Sequence, residues 1–137
     1  MKKCIILRGL PGSGKTTRAE ELSVIEGVIC SMDHYWVRDG RTYDYRPREL
    51  DAAKAFCRGE VEIAFRLEVP VIVIDNTNIT AATVLYYKGV AERAGYEVSV
   101  ETVGAFTPEA VSLYAERNVH GVSAEIIARM ANNFEPL

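Results

Sequence analysis

Residues 9 to 17, Gly-Leu-Pro-Gly-Ser-Gly-Lys-Thr-Thr, carry the spacing G-x-x-x-x-G-K-[ST], whose residue types suit one task, holding a phosphate. Glycines at 9, 12 and 14 let successive backbone N–H groups turn inward around an anion with no Cβ in the way. Lys15 reaches the outer phosphate oxygens, and Ser13 and Thr17 belong to the same cradle. The Thr16 hydroxyl can ligate Mg²⁺ at the head of a helix, whose N-terminus adds its own partial positive charge. The motif requires a strand before it and a helix after it. Residues 3 to 8 are apolar and β-branched and residues 17 to 23 are acceptable helix formers, so both conditions are met.

Two aspartates follow apolar runs and are set to meet this loop. Asp75 closes Pro70-Val-Ile-Val-Ile74 in the manner of a Walker B strand, where it would orient Mg²⁺ or a metal-bound water beside Thr16. Capping the turn Asp75-Asn-Thr-Asn78 is the plainer task, and the two are compatible. Asp33 follows Gly27-Val-Ile-Cys-Ser-Met32 and is the candidate general base toward an acceptor hydroxyl, or else a strand-end cap. The segment Tyr35 to Arg48 interleaves rings and guanidinium groups. Tyr35, Trp36, Arg38 and Arg41 could stack a base and grip a phosphate, or the rings fold onto the core while arginines pair with Asp39 and Asp44. Arg117, in Arg117-Asn-Val-His-Gly121, is placed to stabilise charge on a transferring phosphoryl group, or is an exposed helix-end arginine. His120 is either a surface residue or a functional one, and Arg129 is a weaker second candidate for the lid.

The elements that must position these residues alternate. A helix is expected from Pro47, with Leu50, Ala53, Phe56, Cys57, Val61, Ala64 and Phe65 on one face and Gly59 weakening its middle. Another runs from Thr80 to Ala94 and stops at Gly95. Residues 96 to 103 alternate as an edge strand does, Thr107-Pro108 opens a helix, and Ser123-Ala-Glu125 opens a last one to about Asn133. Four strands interleaved with helices imply a three-layer α/β fold with a mainly parallel sheet and its ligand at the strands' carboxyl ends. The expected strand order is 2-3-1-4, with a C-terminal helical lid.

At 137 residues the chain is expected to form one domain, residues 1 to 137, with catalysis and recognition in one place. A net charge of -3 argues against tight sequence-independent DNA binding. No apolar run approaches the roughly 20 residues that span a bilayer. Met1-Lys-Lys leads straight into a strand, so no membrane association and a cytoplasmic location are expected. Cys4, Cys30 and Cys57 lack metal-ligand spacing and read as reduced, buried apolar residues.

GLPGSGKTT, Ser31-Met-Asp-His-Tyr35, Ile74-Asp-Asn-Thr-Asn78 and the run from Arg117 to Met130 together resemble the kinase domain of phage-type polynucleotide 5′-hydroxyl kinases and related ATP-binding proteins, over nearly the whole chain. That resemblance implies transfer of the ATP γ-phosphate to a hydroxyl on a nucleic acid or nucleoside-like acceptor. It implies Asp33 as base, Lys15 and Thr16 serving ATP and Mg²⁺, and Arg117 in the lid. Asp75 would support the metal or acceptor site, with Asn76 and Asn78 of its turn beside the acceptor. Two positions depart from the family pattern. Trp36 stands where an acceptor-binding arginine is usual, with Arg38 and Arg41 as substitutes, and the shorter lid has His120-Gly121 in place of basic residues. An aromatic there suits a hydroxymethyl group on a modified base within DNA. An ATP-driven switch without a hydroxyl acceptor, and a small-molecule kinase of the gluconate or shikimate type, are the alternatives.

Overall fold

The computed structural model describes residues 1–37 and 40–137. Its four strands, β1 (Lys3–Arg8), β2 (Gly27–Cys30), β3 (Val71–Asp75) and β4 (Glu97–Thr102), form an all-parallel sheet in the order β2-β3-β1-β4. This is the expected order. The crossovers are helical: α1 (Lys15–Ser23) follows β1, and α3 (Leu50–Arg66) and α4 (Ala81–Arg93) follow β2 and β3. After β4 come α5 (Pro108–Arg117) and α6 (Ala124–Asn133).

Side chains of successive strand residues point to opposite faces, and the core divides accordingly. Cys4, Ile6, Ile72 and Ile74 face Cys57, Val61 and Ala64 of α3 and Val84, Tyr87 and Ala91 of α4. Leu7 and Val73 face Ala19 of α1. A third cluster joins Leu10 of the phosphate loop to Val111, Tyr114 and Ile127 of α5 and α6, so the C-terminal helices pack directly on the loop. The cysteines are free and buried, and burial raises the thiols of Cys4 (to about 12), Cys30 and Cys57.

The structure departs from the sequence reading at three places. Strand β2 ends at Cys30, before Met32, because side chains take over its outgoing amides: Glu60 Oε1 accepts from Ser31 N (3.1 Å) and Asn76 Oδ1 from Met32 N (2.9 Å). Asp33 is therefore no strand end but the first residue of a four-residue helix, α2 (Asp33–Trp36). The helix foreseen from Pro47 begins with a 3₁₀ turn, Pro47–Glu49, and α3 then runs unbroken through Gly59. Phe56 lies outside its buried stripe, at 43% exposure. Arg38 and Asp39 lie outside the described residues. Among the described residues no helix is long and apolar enough to cross a membrane.

Candidate active site at the phosphate loop

The loop between β1 and α1 needs its glycines for two distinct reasons. Gly14, the residue before α1, sits at φ +102° in open space, so conformation alone favours glycine there. Gly12 is also left-handed (φ +80°), and a Cβ on it would come within 2.5 Å of the Tyr114 carbonyl oxygen at the end of α5. Ser13 Oγ is buried in the loop and has no hydrogen-bond partner among the described residues. Lys15 is buried, and its Nζ donates to the Leu10 carbonyl at 3.0 Å. Desolvation lowers its pKa, while the Asp75 and Asp33 carboxylates oppose that shift. A polyanion seated on the loop would supply what Ser13 and Lys15 lack, an acceptor for the hydroxyl and charge for the ammonium.

Beside the loop lies a cavity of about 250 Å³ whose walls include Thr16, Ser31, Asp33, His34, Asp75 and His120. Asp75 is 8% exposed; burial raises its pKa, with Lys15 opposing and Asp33 adding. A buried carboxylate next to an exposed Thr16 hydroxyl is a hard-oxygen pair suited to Mg²⁺. Asp33 enters the same cavity from α2, its backbone amide accepted by Ser31 Oγ at 3.1 Å. His34, beside it in the cavity wall, is raised in pKa first by its hydrogen bond to Glu60 (2.8 Å).

Asn76 and Asn78, foreseen as acceptor contacts, have side chains committed to the fold. Asn76 ties the end of β3 to Met32 and donates weakly to Cys57 Sγ (3.5 Å). Asn78 is 4% exposed at φ +45°, and its Nδ2 donates to the Leu7 carbonyl at 2.7 Å. Trp36 is likewise buried, edge-on to Tyr35 and Tyr45 at 5.1 and 4.9 Å. The Tyr35 hydroxyl bonds the Glu49 carboxylate, which also pairs with Arg46 at 2.9 Å. Of the two readings of the aromatic segment, this part follows the one in which rings fold back on the protein. Arg41, by contrast, lines a second, open cavity of about 530 Å³ with Val37, Thr42, Tyr43, Val119 and His120.

Arg117 does reach the loop, its Nε donating to the Gly12 carbonyl at 2.7 Å, whereas Arg129 is exposed on α6. Two residues stand at the mouth with less warning from the sequence. His120 Nε2 is 3.5 Å from Asp33 Oδ2, and its ring stacks on Tyr43 with centroids 3.9 Å apart. Tyr43 was visible only as one ring of an aromatic segment, and His120 as a lone loop histidine.

A phosphate loop between the first strand and helix of a 2-3-1-4 parallel sheet, with Asp75 ending the neighbouring strand and Asp33 opening the short helix beyond β2, defines the fold of the P-loop kinases. A family model described as an AAA domain matches residues 4–137, and the chain belongs to that family. It is 35% identical over 136 residues to human NEDD4-binding protein 2, covering 96% of this chain and 8% of that protein's length. Among solved structures, a chain of the Pnkp1/Rnl/Hen1 RNA repair complex superimposes with a TM-score of 0.72 at 16% identity, over 97% of this chain and 44% of that one. Kti12 from Chaetomium thermophilum, solved with ADP-AlF3, gives a TM-score of 0.66 at 18% identity, over 97% of this chain and 80% of its own. These structures share the fold.

Proposed function

We propose that residues 1–137 act as one kinase unit that transfers the γ-phosphoryl group of ATP to a hydroxyl of a nucleic acid or nucleoside-like acceptor. The observation that carries the proposal is that Lys15, at the loop, lies in the electrostatic reach of Asp33 and Asp75, and that both carboxylates share one cavity with Thr16. In the transfer, the bond from the γ-phosphorus to the β,γ-bridging oxygen breaks and one to the acceptor oxygen forms. The acceptor's proton passes to Asp33, and ADP leaves. Lys15 and the loop amides hold the phosphates in line, and Arg117, already on the loop at Gly12, is at hand for charge on the moving group. Thr16 and Asp75 would hold Mg²⁺, which when bound neutralises phosphate charge. The RNA repair complex that contains a neighbour of the same fold supports a polynucleotide as the first acceptor to test.

The test is transfer of labelled γ-phosphate to 5′-hydroxyl DNA and RNA, hydroxymethyl-containing duplex DNA, nucleosides and sugars, with Asp33→Asn in parallel. Removing a general base costs about 10²- to 10⁴-fold. We expect a labelled nucleic-acid acceptor, with the label falling by at least about 100-fold in the variant while ATP affinity holds. Label on sugars alone, or ADP formation that no acceptor accelerates, would overturn the reading.

A further inference from the structure

A half-exposed carboxylate on a four-residue helix has little of its own to fix its direction, yet a base must be held within about 0.5 Å of its productive position. Two segments distant in sequence converge on Asp33. The first folds back after α2: Val37 pairs antiparallel with Tyr43, and Asp44 N donates to the Trp36 carbonyl at 2.9 Å. This return brings Tyr43 up to Asp33, whose carboxylate adds to burial in raising the pKa of the Tyr43 hydroxyl. The second is the turn between α5 and α6. Its ends are closed by the side chain of Asn118, whose Nδ2 donates to the carbonyls of Ala115 (3.0 Å) and Val122 (3.1 Å) and whose Oδ1 accepts from Val122 N (2.8 Å). Gly121, at φ +68°, completes the turn, and Arg117 fastens its base to the phosphate loop. At its tip His120 lies flat on Tyr43, at 25° between planes, with Nε2 facing Asp33.

We propose that His120 is a positioning residue for the transfer: with Tyr43 it holds the Asp33 carboxylate toward the cavity shared with Thr16 and Asp75. The inference rests on Asp33 being the base. The Asn118-clamped turn gives this contact a fixed geometry relative to the loop that carries the phosphates. His120 also borders both the inner cavity and the open one beside Arg41, so an acceptor coming from the outer cavity meets Asp33 and His120 together.

Three variants separate the contributions. His120→Phe keeps a flat ring against Tyr43 and removes the nitrogen, His120→Gln restores an N–H at similar reach, and His120→Ala removes both. Each is assayed with ATP and Mg²⁺ on a 5′-hydroxyl oligodeoxynucleotide and on water, beside Asp33→Asn, with the KM for ATP and the melting temperature recorded. We expect His120→Phe and His120→Ala to lose about tenfold or more in kcat for the reaction that Asp33→Asn abolishes. His120→Gln should stay within about threefold of the wild type, with the KM for ATP unchanged in all three. Loss in Asp33→Asn with none in His120→Phe would overturn the role of His120 and leave the kinase reading standing. Turnover indifferent to Asp33→Asn, or none on either acceptor, would remove the base assignment and this inference with it.

Discussion

The buried pair Lys15 and Asp75 shows how the free chain is held in a state made for a ligand. Burial lifts the Asp75 carboxyl above its ordinary value of 3.8, and Lys15 offsets only part of this. An acid whose folded pKa exceeds its unfolded one binds its proton more tightly when folded. Its ionised form therefore costs stability at every pH above the folded value, and the cost disappears as pH falls below the unfolded value. Asp75→Asn is thus expected to stabilise the free protein at pH 7 to 8, with the gain shrinking as pH drops through the raised value toward 3.8. Urea unfolding at several pH values reads this, and a loss of stability at neutral pH would sink it. The same variant should lose the stabilisation that ATP and Mg²⁺ give the wild type, since the hard-oxygen pair with Thr16 is gone. Lys15, Thr16 and Asp75 were legible in the sequence because local spacing and a strand end define them. Tyr43 was not singled out and His120 was left between a surface and a functional role, because what recruits them is each other and Asp33, a tertiary meeting that no local pattern encodes.

The elements themselves were largely legible, since their ends carry their own chemistry. Thr107 Oγ1 accepts from Ala110 N (3.1 Å) and Ser123 Oγ from Ile126 N (3.3 Å), as expected of N-caps, and Gly95 stops α4 at φ +87°. Where the reading missed, a partner from elsewhere decided the matter: Glu60 and Asn76 draw the chain out of β2, and α2 forms where only an irregular segment was expected. Gly59 is instructive in the other direction. Its weak propensity did not interrupt α3, because Cys57 and Val61 on either side of it are buried against the sheet. The penalty remains in the stability, however. A Cβ at Gly59 would meet nothing within 4 Å, so Gly59→Ala should stabilise the protein by about 0.5–1 kcal/mol and raise its melting temperature by a few degrees. An unchanged or lower melting temperature would show that the helix is strained there.

At the scale of the molecule, one buried cation joins parts that the sheet does not. Arg8 ends β1 immediately before the loop and is 2% exposed. Its Nε donates to the Asn78 carbonyl (2.8 Å) and its Nη2 to the carbonyls of Ile79 (3.0 Å) and Glu135 (2.7 Å), while its plane lies 4.2 Å from the Phe134 ring centroid. Residues 134–135 are thereby fastened across the turn after β3, and Glu135 in turn accepts from Ala81 N at the start of α4 (2.9 Å). Three carbonyls from two segments need a planar fork, which an ammonium cannot replace. The Ile79 carbonyl keeps the Glu135 amide as a donor (2.8 Å), and each carbonyl left buried without one costs about 1–3 kcal/mol, although water can reach the partly buried ones. Arg8→Met is expected to lower the unfolding free energy by about 3 kcal/mol, and Arg8→Lys to recover less than about half of that. Amide exchange separates this from a generic core defect. If Arg8 joins these parts, the amides of Glu135, Ala81 and Gly9 should lose protection together, since Gly9 N is held by the Thr77 carbonyl (3.1 Å) in the same turn. Loosening Gly9 also loosens the phosphate loop, so ATP should bind more weakly to Arg8→Met than its stability alone explains. Loss of protection at Glu135 with Gly9 unaffected would confine Arg8 to fastening the tail.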